Sequence, residues 1–257
     1  MNVPVTFIAR KYRIFLPYWA VFQTDLHQTL RNWIYITWVA GTLLAAFGFL
    51  LFRIGVHRVA GMVQYASVAM SDMLHWIVLG SLALIAVQTV GAISSERGTL
   101  ADSVLSRGIS RYQYFLAKWH SRLFCILGSY LAMSGIMLIF SHFLLHEDLS
   151  LLGSIIAIWT MASFLVVVIS CGVMLSSICK STLMGMTIIW LVMYGGGYLL
   201  ELLPATYPSP NRILNQLPLM MQGQYNMSAF WELMMMTGIV SGAMAFVGLV
   251  SFSRSDV

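Results

Sequence analysis

The chain has 257 residues, of which 59% are hydrophobic and only 9% charged, and its mean hydropathy is +0.82. An ordinary soluble domain carries about 25% charged residues, so this composition excludes a soluble globular protein and indicates a single integral membrane domain. The net charge of +5 is first a signal of membrane topology rather than of nucleic-acid binding, and no nucleic-acid partner is expected.

Arg10, Lys11 and Arg13 make the N-terminus basic. No apolar run with a small-residue cleavage site follows, so no signal peptide is expected and the first span serves as the insertion signal. Over residues 18–31 and just beyond, Trp19, Phe22, Leu26, Leu30 and Trp33 recur at steps of three or four, with Gln23, Asp25, Gln28 and Arg31 between them. This periodicity predicts an amphipathic helix lying in the membrane interface and leading into the bundle, or acting only as a topology anchor.

The hydrocarbon core of a bilayer is about 30 Å thick and a helix rises about 1.5 Å per residue, so runs of roughly 20 apolar residues are candidate spans. Six such runs occur, at about 32–52, 73–94, 123–145, 151–178, 182–203 and 231–252. Continuous runs such as SFLVVVIS lack the alternation of a barrel strand, so the expected fold is all-α, a six-span helical bundle. His75 and Gln88 place polar groups inside the second span, where they either line a pathway or satisfy an interhelical hydrogen bond.

Between the second and third runs, residues 94–122 hold five of the fourteen Lys and Arg residues. On insertion scales each costs about 2.5–3.5 kcal/mol at a helix centre, so this segment belongs in water or at the headgroups. Thr99 with Asp102 has the form of a capping box and predicts a short helix from Leu100, with Leu100 and Val104 on one face and Leu105 beside them. Gly108 permits the chain to turn, and Ser110 with Gln113 forms a second capping box that starts a helix at Arg111 and runs into the third span. Lys118 and Arg122, four apart, are expected to snorkel to the headgroups.

His142, His146, Glu147 and Asp148 follow at the end of the third span. The six histidines are scattered, and these read as interfacial residues beside an acidic turn rather than as a metal site. Cys125, Cys171 and Cys179 are odd in number and embedded in apolar runs, so they read as small core residues. In the fifth run Gly195, Gly196 and Gly197 allow either a hinge or close helix contact. Four of the six prolines crowd residues 204–230, which excludes one straight helix there and predicts short half-helices dipping into the outer interface, or an ordinary loop. The eighteen methionines are adaptable apolar filler before they are copper ligands. Asn226 opens a glycosylation sequon that matters only in a eukaryotic source. Gly238 and Gly242 form GxxxG, a helix-contact face.

With six spans, eleven of the Lys and Arg residues fall on one side, leaving Arg53, Arg58 and Arg212 on the other. Both termini and the charged hairpin are therefore expected in the cytoplasm.

The stretch ERGTLADSVLSRGISRYQYFLAKW, residues 96–119, resembles the cytoplasmic signature of type-2 permeases of the ATP-binding cassette (ABC) exporters, which runs roughly E-x-G-T-L, a gap, L-S-R-P-V-S-R, then Y-L-L-G-K. Glu96, Gly98, Thr99, Leu100, Leu105, Ser106, Arg107, Ser110, Arg111, Tyr114, Leu116 and Lys118 match it. Gly108 stands where Pro is usual and Ala117 where Gly is usual. The six-span layout, the amphipathic N-terminal helix and the long outer segment before the last span are also similar to that family.

The resemblance implies that residues 99–107 form a coupling helix docking on a separate ATPase, with Glu96, Gly98, Thr99, Leu100, Asp102, Val104, Leu105, Arg107, Gly108 and Arg111 serving that contact. It implies two ATPase subunits that bind ATP and Mg, a second permease copy or a homologous permease, and a place in a cell membrane, here a bacterial inner membrane, among membrane lipids. It puts the glycine triplet near the permease dimer interface. The chain itself is expected to hold no cofactor and to hydrolyse no ATP: a P-loop needs GxxxxGK[ST], and at Lys180, the one Lys followed by Ser or Thr, Cys179 occupies the essential Gly position. A membrane scaffold passing ATPase-driven force to an exterior partner, without transport, is the other reading of the same contact.

Overall fold

The computed structural model describes residues 15–61, 63, 65–96, 109–145, 148–179, 181–201 and 210–254. These residues form eight helices and no β-strand: α1 (Leu16–Leu30), α2 (Trp33–Ala60), α3 (Ala66–Ser94), α4 (Arg111–Leu144), α5 (Leu151–Ile178), α6 (Thr182–Glu201), α7 (Pro210–Met221) and α8 (Met227–Arg254). Five are long and apolar enough to cross a membrane: Trp33–Val56 within α2, and the whole of α3, α4, α5 and α8. The chain is thus an all-helical, multi-pass membrane protein. In α6 the apolar part, Thr182–Gly197, is shorter.

The helix boundaries follow local chemistry. Asn32 caps α2, its side chain accepting from the Ile34 amide, and Gly61, at a φ of 65°, ends the helix in the left-handed region. The helix therefore runs past residue 52 and through Arg53, whose guanidinium meets Asp72 of α3 at 2.6 Å. The same ion pair lets α3 start at Ala66 rather than 73, since Asp72 has a partner and the small residues before it are buried. Tyr65, at the N-cap of α3, offers no side-chain acceptor. Asp148 supplies one from across the bundle, taking the Ser67 amide at 2.9 Å and bonding the Ser67 hydroxyl as well. α4 begins at Arg111 with the expected capping box, Ser110 and Gln113 each accepting from the other's backbone N–H.

The core is built around α5, which packs chiefly against α8 and α3. Met70, Leu74 and Ile77 of α3, Ile126, Tyr130 and Met137 of α4, and Met161 and Leu165 of α5 form its main cluster. Leu217 and Met221 of α7 join that cluster. α7 is therefore a short helix whose Leu217 and Met221 pack on the core, with Pro218 inside it. The lost hydrogen bond of an internal proline costs about 3 kcal/mol, and burying Leu217 and Met221 on either side offsets it. Gly153 makes the approach possible: a Cβ there would sit 2.1 Å from the Met220 carbonyl oxygen.

At the other end of the bundle, α3 stops, α4 starts, and the last turns of α5 and α8 and the first turn of α6 converge. Ser176 accepts from the Ile93 and Ser94 amides, the Ser94 and Thr182 hydroxyls are 2.9 Å apart, and Phe252 packs on Tyr114 and Phe115. Glu96 and Ile109, the described residues that flank 97–108, both lie here, so this is called the hairpin end.

Candidate functional site

The capping box fixes the register of α4, so Tyr114, Lys118 and Arg122 recur at four-residue steps on one face of its first three turns. That face meets α1. On α1 the side chains turned to the bundle are Tyr18, Val21, Asp25 and Thr29, and Asp25 and Thr29 are buried. Two residues four apart on α1 thus lie against two residues four apart on α4.

The result is a cluster of four buried or half-buried charges. Lys118 Nζ lies 2.7 Å from Asp25 Oδ1 and 2.7 Å from Glu96 Oε1. Arg122 Nη2 lies 3.1 Å from the same Asp25 oxygen, and its Nη1 donates to Thr29 Oγ1 at 2.6 Å and Gln88 Oε1 at 3.0 Å. The Tyr114 hydroxyl donates to the second oxygen of Glu96. The Asp25, Lys118 and Arg122 side chains are only 2%, 4% and 10% exposed. Ions this far from water persist only when paired and hydrogen-bonded, and two cations against two carboxylates leave the cluster neutral.

Lys118 and Arg122 therefore do not snorkel to the headgroups as expected. With Asp25 and Glu96 within reach, pairing inside the protein replaces the hydration that the headgroup region would have offered. α1 is correspondingly three-sided. Asp25 and Thr29 face α4, while Trp19 and Leu30, on the apolar stripe, stay exposed. Gln23, Thr24, His27, Gln28, Arg31 and Asn32 line a shallow polar groove on the third side.

The cluster contains Glu96, one of the residues assigned to ATPase coupling. Arg111, another, donates to the Ser253 carbonyl at 3.2 Å and ties the start of α4 to the end of α8. Gly98, Thr99, Leu100, Asp102, Val104, Leu105, Arg107 and Gly108 lie outside the described residues, and with them the whole coupling helix. Gln88 is drawn into the cluster through Arg122. His75 lies thirteen residues, or about 20 Å, from it along α3, half-buried and stacked on Trp76. Gly195, Gly196 and Gly197 sit in α6 with nothing within 4 Å of where a Cβ would stand, and the same holds for Gly238 and Gly242. The contact of α8 with α5 instead runs along Ser241, Ala245 and Gly248, with the Ser241 and Ser170 hydroxyls 2.6 Å apart.

The sequence places Asp25 among the polar residues between the apolar positions of α1 and gives Thr29 no role. The signal that marks them is their four-residue spacing, which matches that of Lys118 and Arg122 about ninety residues later. Asp148 is engaged in capping α3, whereas His146 and Glu147 lie outside the described residues. No group of three His, Cys, Asp or Glu side chains able to hold a metal occurs among the described residues. No protein-family model matches the chain, and no curated protein matches it.

Proposed function

We propose that the chain is the membrane-spanning permease subunit of an ATP-binding cassette exporter, working as a pair with itself or a similar permease and driven by two separate ATPase subunits. The observation that carries this reading is the E-x-G-T-L…L-S-R…S-R…Y…K pattern of residues 96–119. The geometry at its root is compatible with it. Glu96, just after α3, is held by Tyr114 and Lys118 of α4, so the two flanks of residues 97–108 are tied together. A short segment presented on a rigid base is a suitable handle for a soluble motor.

In this reading α6 is the fifth span in chain order and brings the number of spans to six. Its first turn lies at the hairpin end, beside Ser94, whereas α7, which follows it, packs where Ser150 and Gly153 meet Met220 and Met221 at the opposite end. Both termini and the hairpin are cytoplasmic, in keeping with the bias of Lys and Arg. ATP binding at the partner favours one arrangement of the hairpins over another and so shifts the route between the two permeases.

Copurification tests the proposal. Leu100→Asp with Leu105→Asp should release the ATPase while the permease still inserts; an ATPase that stays bound with full turnover refutes the assignment. Reconstituted vesicles distinguish export from a purely mechanical role, since only a transporter moves solute when ATP is supplied.

A further inference from the structure

The contact of α1 with α4 does not close along its whole width. Beside the buried charges, a groove of about 470 Å³ runs along α4. Two rows of α4 residues at four-residue steps form its floor. One is Leu123, Leu127 and Leu131, which pack on the main core; the other is His120, Phe124 and Gly128, of which Phe124 and Gly128 are exposed. Tyr18 and Phe22 of α1 stand beside the second row, Phe22 edge-on to Phe124 with ring centres 6.3 Å apart. That row ends at Gly128, where a Cβ would meet nothing within 4 Å, so the groove stays open at the point where a side chain would fill it.

Polarity changes along this groove in one direction. At one end the Tyr18 hydroxyl and His120 Nδ1 are 3.0 Å apart, and His120 Nε2 has no hydrogen-bond partner among the described residues. With Tyr18 donating to Nδ1, Nε2 carries the proton and is a free donor. From Leu123 to Leu131 the lining is hydrocarbon alone. His120 stands just before the apolar run that opens at Leu123, so the polar end lies at the membrane boundary and the rest within the hydrocarbon. The eleven residues from His120 to Leu131 cover about 16 Å of helix, against about 15 Å for half of the hydrocarbon core.

We infer that this groove is a binding site for one acyl chain of a membrane phospholipid, drawn from the leaflet at the hairpin end, with an ester or phosphate oxygen at His120 and Tyr18. The occupant follows from the order of polarity and from the length, since a donor followed by one leaflet's depth of hydrocarbon matches a lipid end to end. A partner's transmembrane helix, about 10–12 Å across with its side chains, is wider than the gap of one missing side chain at Gly128. Bound there, the lipid seals the seam between α1 and α4 on the membrane side, as the ion pairs seal it on the inner side. The inference needs only a chain that crosses a membrane and is independent of the transporter reading.

Lipid retention tests it. The full-length chain is reconstituted in nanodiscs of palmitoyl-oleoyl phosphatidylethanolamine and phosphatidylglycerol, moved into lipid-free detergent, and its remaining phospholipid is counted by native mass spectrometry. The wild type should keep a single phospholipid per chain. Gly128→Phe puts a ring in the groove and should lower the retained fraction by about tenfold or more. Gly135→Phe, on the same helix and equally clear of neighbours but outside the groove, should retain it. A phospholipid carrying a diazirine near the end of one chain should label the peptide that contains Leu127 and Leu131. If Gly128→Phe fails to insert, Gly128→Leu replaces it, and the labelling is read on the wild type in either case. A wild type stripped of all phospholipid, a Gly128 variant that retains it, or equal loss from Gly135→Phe overturns the inference. So does a lipid-free wild-type dimer that Gly128→Phe converts to monomers, because a second copy would then fill the groove.

Discussion

Removing the Asp25 carboxylate should cost the protein much of its stability. Asp25→Ala deletes the acceptor of two charge-assisted hydrogen bonds, from Lys118 at 2.7 Å and Arg122 at 3.1 Å. Lys118 retains Glu96, but Arg122 is left with only the neutral oxygens of Thr29 and Gln88, and the neutral cluster becomes a buried net cation. Breaking a buried pair from one side costs about 3–5 kcal/mol, which agrees with about 1.5–3 kcal/mol for each of two bonds to a charged group. Equilibrium unfolding in mixed micelles, followed by tryptophan fluorescence, measures the loss. The double variant Asp25→Leu with Arg122→Met removes one charge of each sign and keeps Lys118 on Glu96, so it should recover at least half of the loss. If Asp25→Ala unfolds within about 0.5 kcal/mol of the wild type, the cluster is hydrated or unpaired and the reasoning fails. If the double variant is instead additive, the two residues are not partners.

The same titration checks two glycines with opposite surroundings. A Cβ on Gly172 would lie 1.9 Å from the Thr89 hydroxyl oxygen, which is buried and bonded to Ile85, so Gly172→Ala should cost about 1–3 kcal/mol. Gly195→Ala meets nothing within 4 Å and should be neutral or stabilise by up to about 1 kcal/mol through helix propensity. Asp148→Ala removes the carboxylate that caps α3 and should cost about 0.5–2 kcal/mol, with faster amide exchange at Ser67 as its local signature.

The positions of the spans were legible because a membrane imposes a one-dimensional rule: twenty apolar residues are visible without knowing what they touch. The expected 151–178 coincides with α5, and the Ser110–Gln113 box marks the start of α4 because capping is a matter of four adjacent residues. The ends of α2 and α3 were missed by about seven or eight residues because Arg53 and Asp72, each a barrier by itself, neutralise each other across helices. The same blindness hid the charge cluster. A scale that scores each residue alone sends Lys118 and Arg122 to the headgroups, and only the meeting of α1 with α4 shows that Asp25 was there to receive them. Gly238 and Gly242 of α8 approach nothing else among the described residues of this chain; Gly248, which no pattern singled out, is the glycine that faces Phe115 and the Met174 backbone.

The 34 residues of α4 contain no proline and span about 51 Å, well beyond the hydrocarbon thickness. Arg122, where α4 is paired with Asp25 of α1, divides it unequally, with eleven residues to Arg111 and twenty-two to Leu144. Pivoting about that point, the rod has arms of about 16 and 33 Å. As a rigid rod, a tilt that moved the Arg111 tip by about 2 Å would carry the Leu144 tip about 4 Å the other way, and the buried Ile126, Tyr130 and Met137 on the long arm oppose it.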